Sequence, residues 1–171
     1  MTLAEFNALP PSDAEAALLD CCGATRWTKQ LAAMRPFDNA ESLYKSADAA
    51  WQEMDRADML EAFSRHPQIG QQAATGSQSH RQWSEGEQKG AQNAAEDVKA
   101  RLSRQNRAYF EKFGYIFIVC ATGKSAQEML ALLDHRLQNG DAAELPIAAE
   151  QQRLIMRLRL EKLIAGERVS R

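Results

Sequence analysis

His66 stands in the stretch Phe63-Ser64-Arg65-His66-Pro67-Gln68-Ile69-Gly70, where a helical pattern has just been stopped. Proline disfavours helical backbone in the residue before it, so Pro67 holds His66 in an extended or turn geometry. Gly70 then lets the chain turn away. An imidazole fixed there can aim into a cleft, and its ordinary pKa of about 6.5 suits proton transfer near neutral pH. The same ring can equally serve the helix end itself, by bonding the last carbonyls or meeting the dipole. A second stretch, Ser84-Glu85-Gly86-Glu87-Gln88, answers the first. Ser84-x-x-Glu87 has the spacing of a capping box, in which Glu87 bonds the Ser84 N–H. Glu87 also lies four residues before Ala91, at the head of an apolar stripe, and so points inward. An inward carboxylate could orient an imidazole or share its proton. Free N–H groups at such a helix start could hold a carbonyl or anionic oxygen.

A third candidate comes from the last helical pattern, taken at about 100° per residue. Ile147, Leu154, Leu158 and Ala165 form one apolar arc with Ile155 and Ala148 beside them, and Met156, Leu160 and Leu163 form a second on the far side. A helix apolar on two sides is buried on two sides, inside the bundle or against a partner subunit. Arg159 falls between the arcs, whereas Arg157 falls in the polar arc near Glu150 and Glu161 and is read as solvated. A buried guanidinium cannot lose its proton, so it needs an acid or an anionic ligand. A buried ion pair and a substrate clamp both meet that need. Metal binding is disfavoured: His66, His80 and His135 are far apart, with no i, i+4 pairing to a second ligand. A GxSxG nucleophile signature is missing. Gly123-Lys124-Ser125 resembles the end of a phosphate-binding loop, but Ile118 stands where its earlier glycine belongs.

The elements that position these residues read as helices almost throughout. Thr2–Ala8 forms a short helix ended by Pro10-Pro11, and Ser12 or Asp13 caps a second through Ala14–Cys22. A third covers Trp27–Met34. Asn39 starts a longer one whose stripe is Leu43, Ala47, Trp51 and Met54. Asp55 or Asp58 caps a continuation that ends at His66. Gln71–Trp83 lacks periodicity and reads as a long loop. Ser84 then opens a helix through Ala91, Ala95, Val98 and Leu102 to Gly114. Tyr115–Ala121 has the propensity of a strand but nothing to pair with, so it reads as an extended segment crossing the core. Ser125 caps Ala126–Gln138, and the last helix spans Ala143–Gly166. The expected fold is all-α: a single-domain bundle of about eight helices with one extended core segment.

With 171 residues, 44% hydrophobic and 26% charged, the chain can bury one sizeable core as an ordinary globular domain. A net charge of −2 leaves no electrostatic footprint for nucleic acid. Cys21, Cys22 and Cys120 cannot all pair, which favours a reducing compartment and small apolar filler. Met1–Leu9 lacks the features of a signal peptide, and no apolar run approaches the ~20 residues that span a bilayer. Val169-Ser170-Arg171 is not a peroxisomal tripeptide. The expectation is a cytoplasmic protein without nucleic-acid or membrane partners.

Several motifs occur in order: Met34-Arg35-Pro36-Phe37, Ala47-Asp48-Ala49-Ala50-Trp51, Leu60-Glu61-Ala62-Phe63, His66-Pro67-x-Ile69-Gly70, Trp83-Ser84-x-x-Glu87-Gln88, Phe113-Gly114-Tyr115-x-Phe117-Ile118 and Arg157-Leu158-Arg159-Leu160. In these the chain resembles the 2-oxo-4-hydroxy-4-carboxy-5-ureidoimidazoline (OHCU) decarboxylase family, over essentially its whole length, residues 1–171. Gln68 stands where the family often has a charged residue. The resemblance implies an all-α, cofactor-free homodimer acting on a small ureidoimidazoline in urate breakdown. It makes His66 the catalytic acid/base with Glu87, and sets Pro67 against the substrate. Ser84, Glu85, Gly86, Glu87 and Gln88 would bind the ring and ureido oxygens. Ile118, Val119, Cys120, Ala121 and Thr122 would line the pocket with backbone groups, and Arg159 would meet the anionic substrate.

The implied chemistry follows from charge. Losing carbon dioxide leaves electrons on a ring carbon, which a neighbouring carbonyl or imine can absorb. The protein then has to bind the carboxylate, stabilise the enolate and deliver a proton to one face, giving (S)-allantoin. Two rivals share these residues: a non-catalytic helical binding module with structural His, Glu and Arg, and a purine-route hydrolase on the same scaffold. Because no metal-ligand spacing is present, activity is expected to survive exhaustive chelation without loss of thermal stability. Recovery of lost activity by added zinc or manganese would contradict this.

Overall fold

The structure, a computed structural model, describes residues 1–69, 78–87, 89 and 95–166. Among them are nine helices: α1 (Leu3–Ala8), α2 (Pro11–Cys21), α3 (Thr25–Ala33), α4 (Ala40–Gln52), α5 (Arg56–Ser64), α6 (Gln78–Glu87), α7 (Glu96–Phe113), α8 (Ala126–Arg136) and α9 (Asp141–Ile164). The described residues hold no sheet, only an isolated bridge between Thr2 and Ala165. The chain divides into two compact units, Met1–Ala62 with Arg153–Arg171, and Phe63–Gln152. The all-α expectation with an extended segment therefore holds.

In the first unit, local signals set most boundaries. Thr2 and Glu5 form a reciprocal cap on α1, and Asn39 caps α4 by accepting from Ser42 N at 2.9 Å. The α2 helix begins at Pro11 rather than Ala14, because proline at the first helical position lacks only an N–H that would be unpaired there anyway. Asp55 and Asp58 start α5 together: Asp55 Oδ1 accepts from Ala57 N and Asp58 N, and Asp58 Oδ2 accepts from Asp55 N. The α3 start has no cap of its own. Glu61, from α5, receives Thr25 N at 3.0 Å and Thr25 Oγ1 at 2.5 Å instead. Leu43, Ala47, Trp51 and Met54 are all buried as the stripe required, and the Trp27 indole donates to Ala47 O at 3.0 Å.

In the second unit α7 ends at Gly114, whose φ of 77° lies in the left-handed region that suits glycine. The segment after it has neither helix nor ladder, and Tyr115 and residues 117–121 are buried. Side chains partner three of its backbone groups. Arg136 Nη1 donates to Ile118 O at 2.6 Å, Gln151 Oε1 accepts from Cys120 N at 3.0 Å, and Lys124 Nζ donates to Cys120 O at 2.8 Å. Tyr109 packs against Phe113, Tyr115 and Phe117 with ring centroids 4.6–5.8 Å apart. Ser125 and Glu128 cap α8 reciprocally.

One sequence expectation fails here. Ser84-x-x-Glu87 does not open a helix: it lies within and at the end of α6, inside the stretch read partly as a loop, and α7 begins separately at Glu96. The cause is that α6 turns His80 and Ser84 inward, so its buried face carries no hydrophobic periodicity to read. On α9 only one of the two apolar arcs is covered. Ala148, Ile155, Met156, Leu160 and Leu163 are buried, while Ile147 and Leu154 are exposed and Leu158 is half-buried.

Burial raises the Cys22 thiol from 9.0 to about 12, and burial with the Glu144 contact raises the Tyr109 phenol. Each group keeps its proton in the folded state at a pH where the unfolded chain has lost it. Their contribution is whole below the unfolded pKa and fades as pH rises toward the folded one. Urea midpoints should therefore fall from pH 8.5 to pH 11 (about the span between the two Cys22 values), and Cys22→Ala should flatten that decline. An alkaline slope unchanged in the variant would show that Cys22 does not contribute.

Candidate functional site

The α5 helix stops at Ser64, and His66 N donates to Phe63 O at 3.1 Å in a closing turn, as Pro67 demands. The His66 ring and Pro67 are half-buried. Its Nε2 lies 2.7 Å from Oε1 of Gln152, which is fully buried on α9. The preceding residue, Gln151, holds Cys120 N. Two consecutive glutamines on one helix thus tie the histidine and the extended segment to each other. Phe63 adds to the tie, its ring 5.3 Å from that of Tyr115.

The other expected residues are sorted by exposure and by helix position. On α6, Ser84 is buried and Glu87 half-buried, three residues apart on one face, whereas Glu85 and Gly86 are exposed. Since these residues lie at the C-terminal end of α6, they do not offer the helix-start N–H groups that the capping box implied. Gln88 and Gly70 lie outside the described residues. Ile118, Val119, Cys120 and Ala121 are buried and Thr122 is exposed. Among the described residues no group of three His, Cys, Asp or Glu could hold a metal ion.

Arg159 belongs to the first unit and is buried there, as its place on the wheel required. Its Nη1 donates to Asp20 O at 3.1 Å. Arg157 is less solvated than expected. Its guanidinium stacks 3.9 Å from the Tyr44 ring centroid and lies near Glu161, Asp48 and Glu41 at 3.4–3.7 Å.

Gln152 and Arg136 escaped the sequence reading, and His80 entered it only as a disfavoured metal ligand. A signal existed for Gln152, which lies four residues after Ala148 and three before Ile155, on the covered arc. His80 shares a face with Ser84 by the same i, i+4 rule. For Arg136 there was none, because it stands at the end of α8 where a basic residue fits the helix dipole.

The described residues define an all-α protein in which an imidazole meets a buried amide, on a helix that also holds a stretch of extended backbone. The chain belongs to the OHCU decarboxylase family, whose model matches residues 7–161. It is 37% identical to the uric acid degradation bifunctional protein TTL of Arabidopsis thaliana over 86% of this chain and 46% of that protein, so it spans less than half of that relative's length. It is 21% identical to the OHCU decarboxylase of Haloferax volcanii over 98% of each chain. The crystal structure of an OHCU decarboxylase in the presence of (S)-allantoin matches with a TM-score of 0.76 at 32% identity, covering 86% of this chain and 96% of that one.

Lysine cannot reproduce the guanidinium fork, and the cost grows with burial. Arg159→Lys should lower unfolding free energy by about 1–3 kcal/mol, whereas Arg157→Lys, at a half-exposed rim, should cost below about 1 kcal/mol. Denaturant curves of the two variants that coincide would refute this difference.

Proposed function

We propose that this chain decarboxylates OHCU to (S)-allantoin in urate degradation, without a cofactor, and that residues 1–171 act as one domain. The observation that carries this reading is the family match across residues 7–161, joined to the likeness at 32% identity with an OHCU decarboxylase crystallised with (S)-allantoin. His66 is the acid/base. Breaking the bond to the carboxylate releases carbon dioxide and leaves an electron pair that the adjacent carbonyl or imine system takes up. His66 then delivers a proton to one face of the ring carbon, which makes a single enantiomer.

The remaining roles are assigned by exposure and charge. Ser84 and Glu87 face inward from α6 and contact the ligand most directly, with Glu85, Gly86 and Gln88 completing that strip and Pro67 bordering it. Residues 118–122 line the pocket, through groups other than Ile118 O and the Cys120 N–H and C=O, which already have protein partners. Arg159 supplies positive charge for the substrate carboxylate. We also propose a homodimer in the cytoplasm. Exposed Ile147 and Leu154 on α9 support the first, and three buried free cysteines the second. No helix among the described residues is long and apolar enough to cross a membrane.

The test is turnover of freshly generated OHCU, followed by circular dichroism of the allantoin formed. His66→Asn should keep fold and ligand binding while lowering kcat by a factor on the order of 10² or more. Near-normal turnover in that variant would return His66 to a helix-end role. Failure of the wild-type chain to produce chiral allantoin would favour a binding module.

A further inference from the structure

On α9 the Gln152 side chain is fully buried, and the two ends of its amide are used unequally. Its Oε1 lies 2.7 Å from His66 Nε2, while its own Nε2 has no hydrogen-bond partner among the described residues. Buried polar groups in folded proteins are nearly always paired, because an unmade hydrogen bond in the interior costs stability. The covered face of the helix supplies no acceptor side chain: Ala148 precedes Gln152 by four residues, and Ile155 and Met156 follow it by three and four. Amide bond lengths hold the two ends of the group about 2.3 Å apart, so the unused N–H2 lies within about 5 Å of the imidazole nitrogen. We propose that Gln152 is a substrate-contacting residue: its Nε2–H2 donates to the carbonyl or imine atom of the substrate that gains negative charge as carbon dioxide leaves.

This rests on the decarboxylase reading above. That reading puts His66 beside the ring carbon that receives the proton, so a donor this close to the imidazole reaches the groups next to that carbon. Two kinds of acceptor stand there. The carboxylate carries its charge before the reaction and loses it on leaving, so a donor held on it would stabilise the ground state. The carbonyl or imine system takes up the electron pair, and a donor aimed at it acts where charge develops. A neutral amide suits that second place, since it brings no uncompensated charge of its own into a buried site. Gln151 keeps the donor in register: it accepts Cys120 N–H at 3.0 Å, which ties this turn of α9 to the segment proposed to line the pocket.

In the 15N-labelled full chain, the Gln152 side-chain amide is assigned by its loss in Gln152→Met. Saturating (S)-allantoin should move one of its N–H protons downfield and slow that proton's exchange with water. Gln152→Met and Gln152→Glu both lack the donor, and each should lower kcat about 10²-fold with KM changed less than about threefold. An amide that merely supports the imidazole predicts something else: Gln152→Glu, which keeps an acceptor oxygen, would retain wild-type kcat. That result, or an amide resonance that (S)-allantoin leaves in place, would overturn the proposal. Should the Met variant not fold, Gln152→Glu assigns the amide and supplies the kinetics. A wild-type chain that makes no chiral allantoin from OHCU would overturn the decarboxylase reading and this inference with it, whereas normal turnover with an unmoved amide overturns the role of Gln152 alone.

Discussion

The buried pair of Arg136 and Glu144 carries the second unit. Arg136 Nε lies 2.7 Å from Glu144 Oε1, Tyr109 OH donates to the same oxygen at 2.5 Å, and Asn139 donates to the other at 2.7 Å. Each charge is removed from water, so each depends on the other. Taking away one partner of such a pair costs about 3–5 kcal/mol, against about 1 kcal/mol for an ordinary hydrogen bond. The guanidinium also lies 4.6 Å from the Phe117 ring and reaches Ile118 O. A strand without a neighbour would leave its carbonyls buried and unpaired. Here a charged side chain partners one of those carbonyls, Ile118 O, in the extended segment Tyr115–Ala121.

That constraint passes into the candidate site along α9. Glu144, Ala148 and Gln152 recur at four-residue intervals on its covered face, so one helix carries the acid that anchors the segment and the amide that meets the histidine. Gln151, one position from Gln152, holds the segment's own N–H. Pocket backbone and imidazole are thus referenced to the same rigid element, and a displacement of α9 would disturb both. Sites supported by helices hold their geometry more closely than sites on loops.

The inward faces here are polar where a plain structural core would be apolar. On α6 the buried positions are His80 and Ser84, on α9 they include Gln152 and Arg159, and on α8 they end in Arg136. Buried polar groups lower stability unless they are paired. In the second unit Gln152 meets His66 and Arg136 meets Ile118 O, so two of these groups are paired with other polar groups. The expected capping box at Ser84 failed because its inward face is polar. A helix whose buried face is polar looks like a loop to any reading based on hydrophobic period, and the first strong apolar stripe then draws the helix start too late.

Local chemistry was decided within the sequence. Caps at Thr2, Asn39, Asp55 and Ser125, the stop at Pro67, the left-handed Gly114 and the stripe from Leu43 to Met54 depend on residues within a turn or two of one another, and each formed as its neighbours required. The depth of Arg159 also followed from spacing alone, because one helix fixes the angles between its own residues. Tertiary structure decided the rest. Whether an apolar arc of α9 is covered depends on what packs there, and whether Ser84 caps a helix or sits inside one depends on which face of α6 is buried. Gln152 meets His66 across 86 residues of chain, and Arg136 meets Ile118 across 18. No local periodicity specifies such meetings. They exist because the folded chain brings these polar groups out of water together, where pairing offsets the cost of burial.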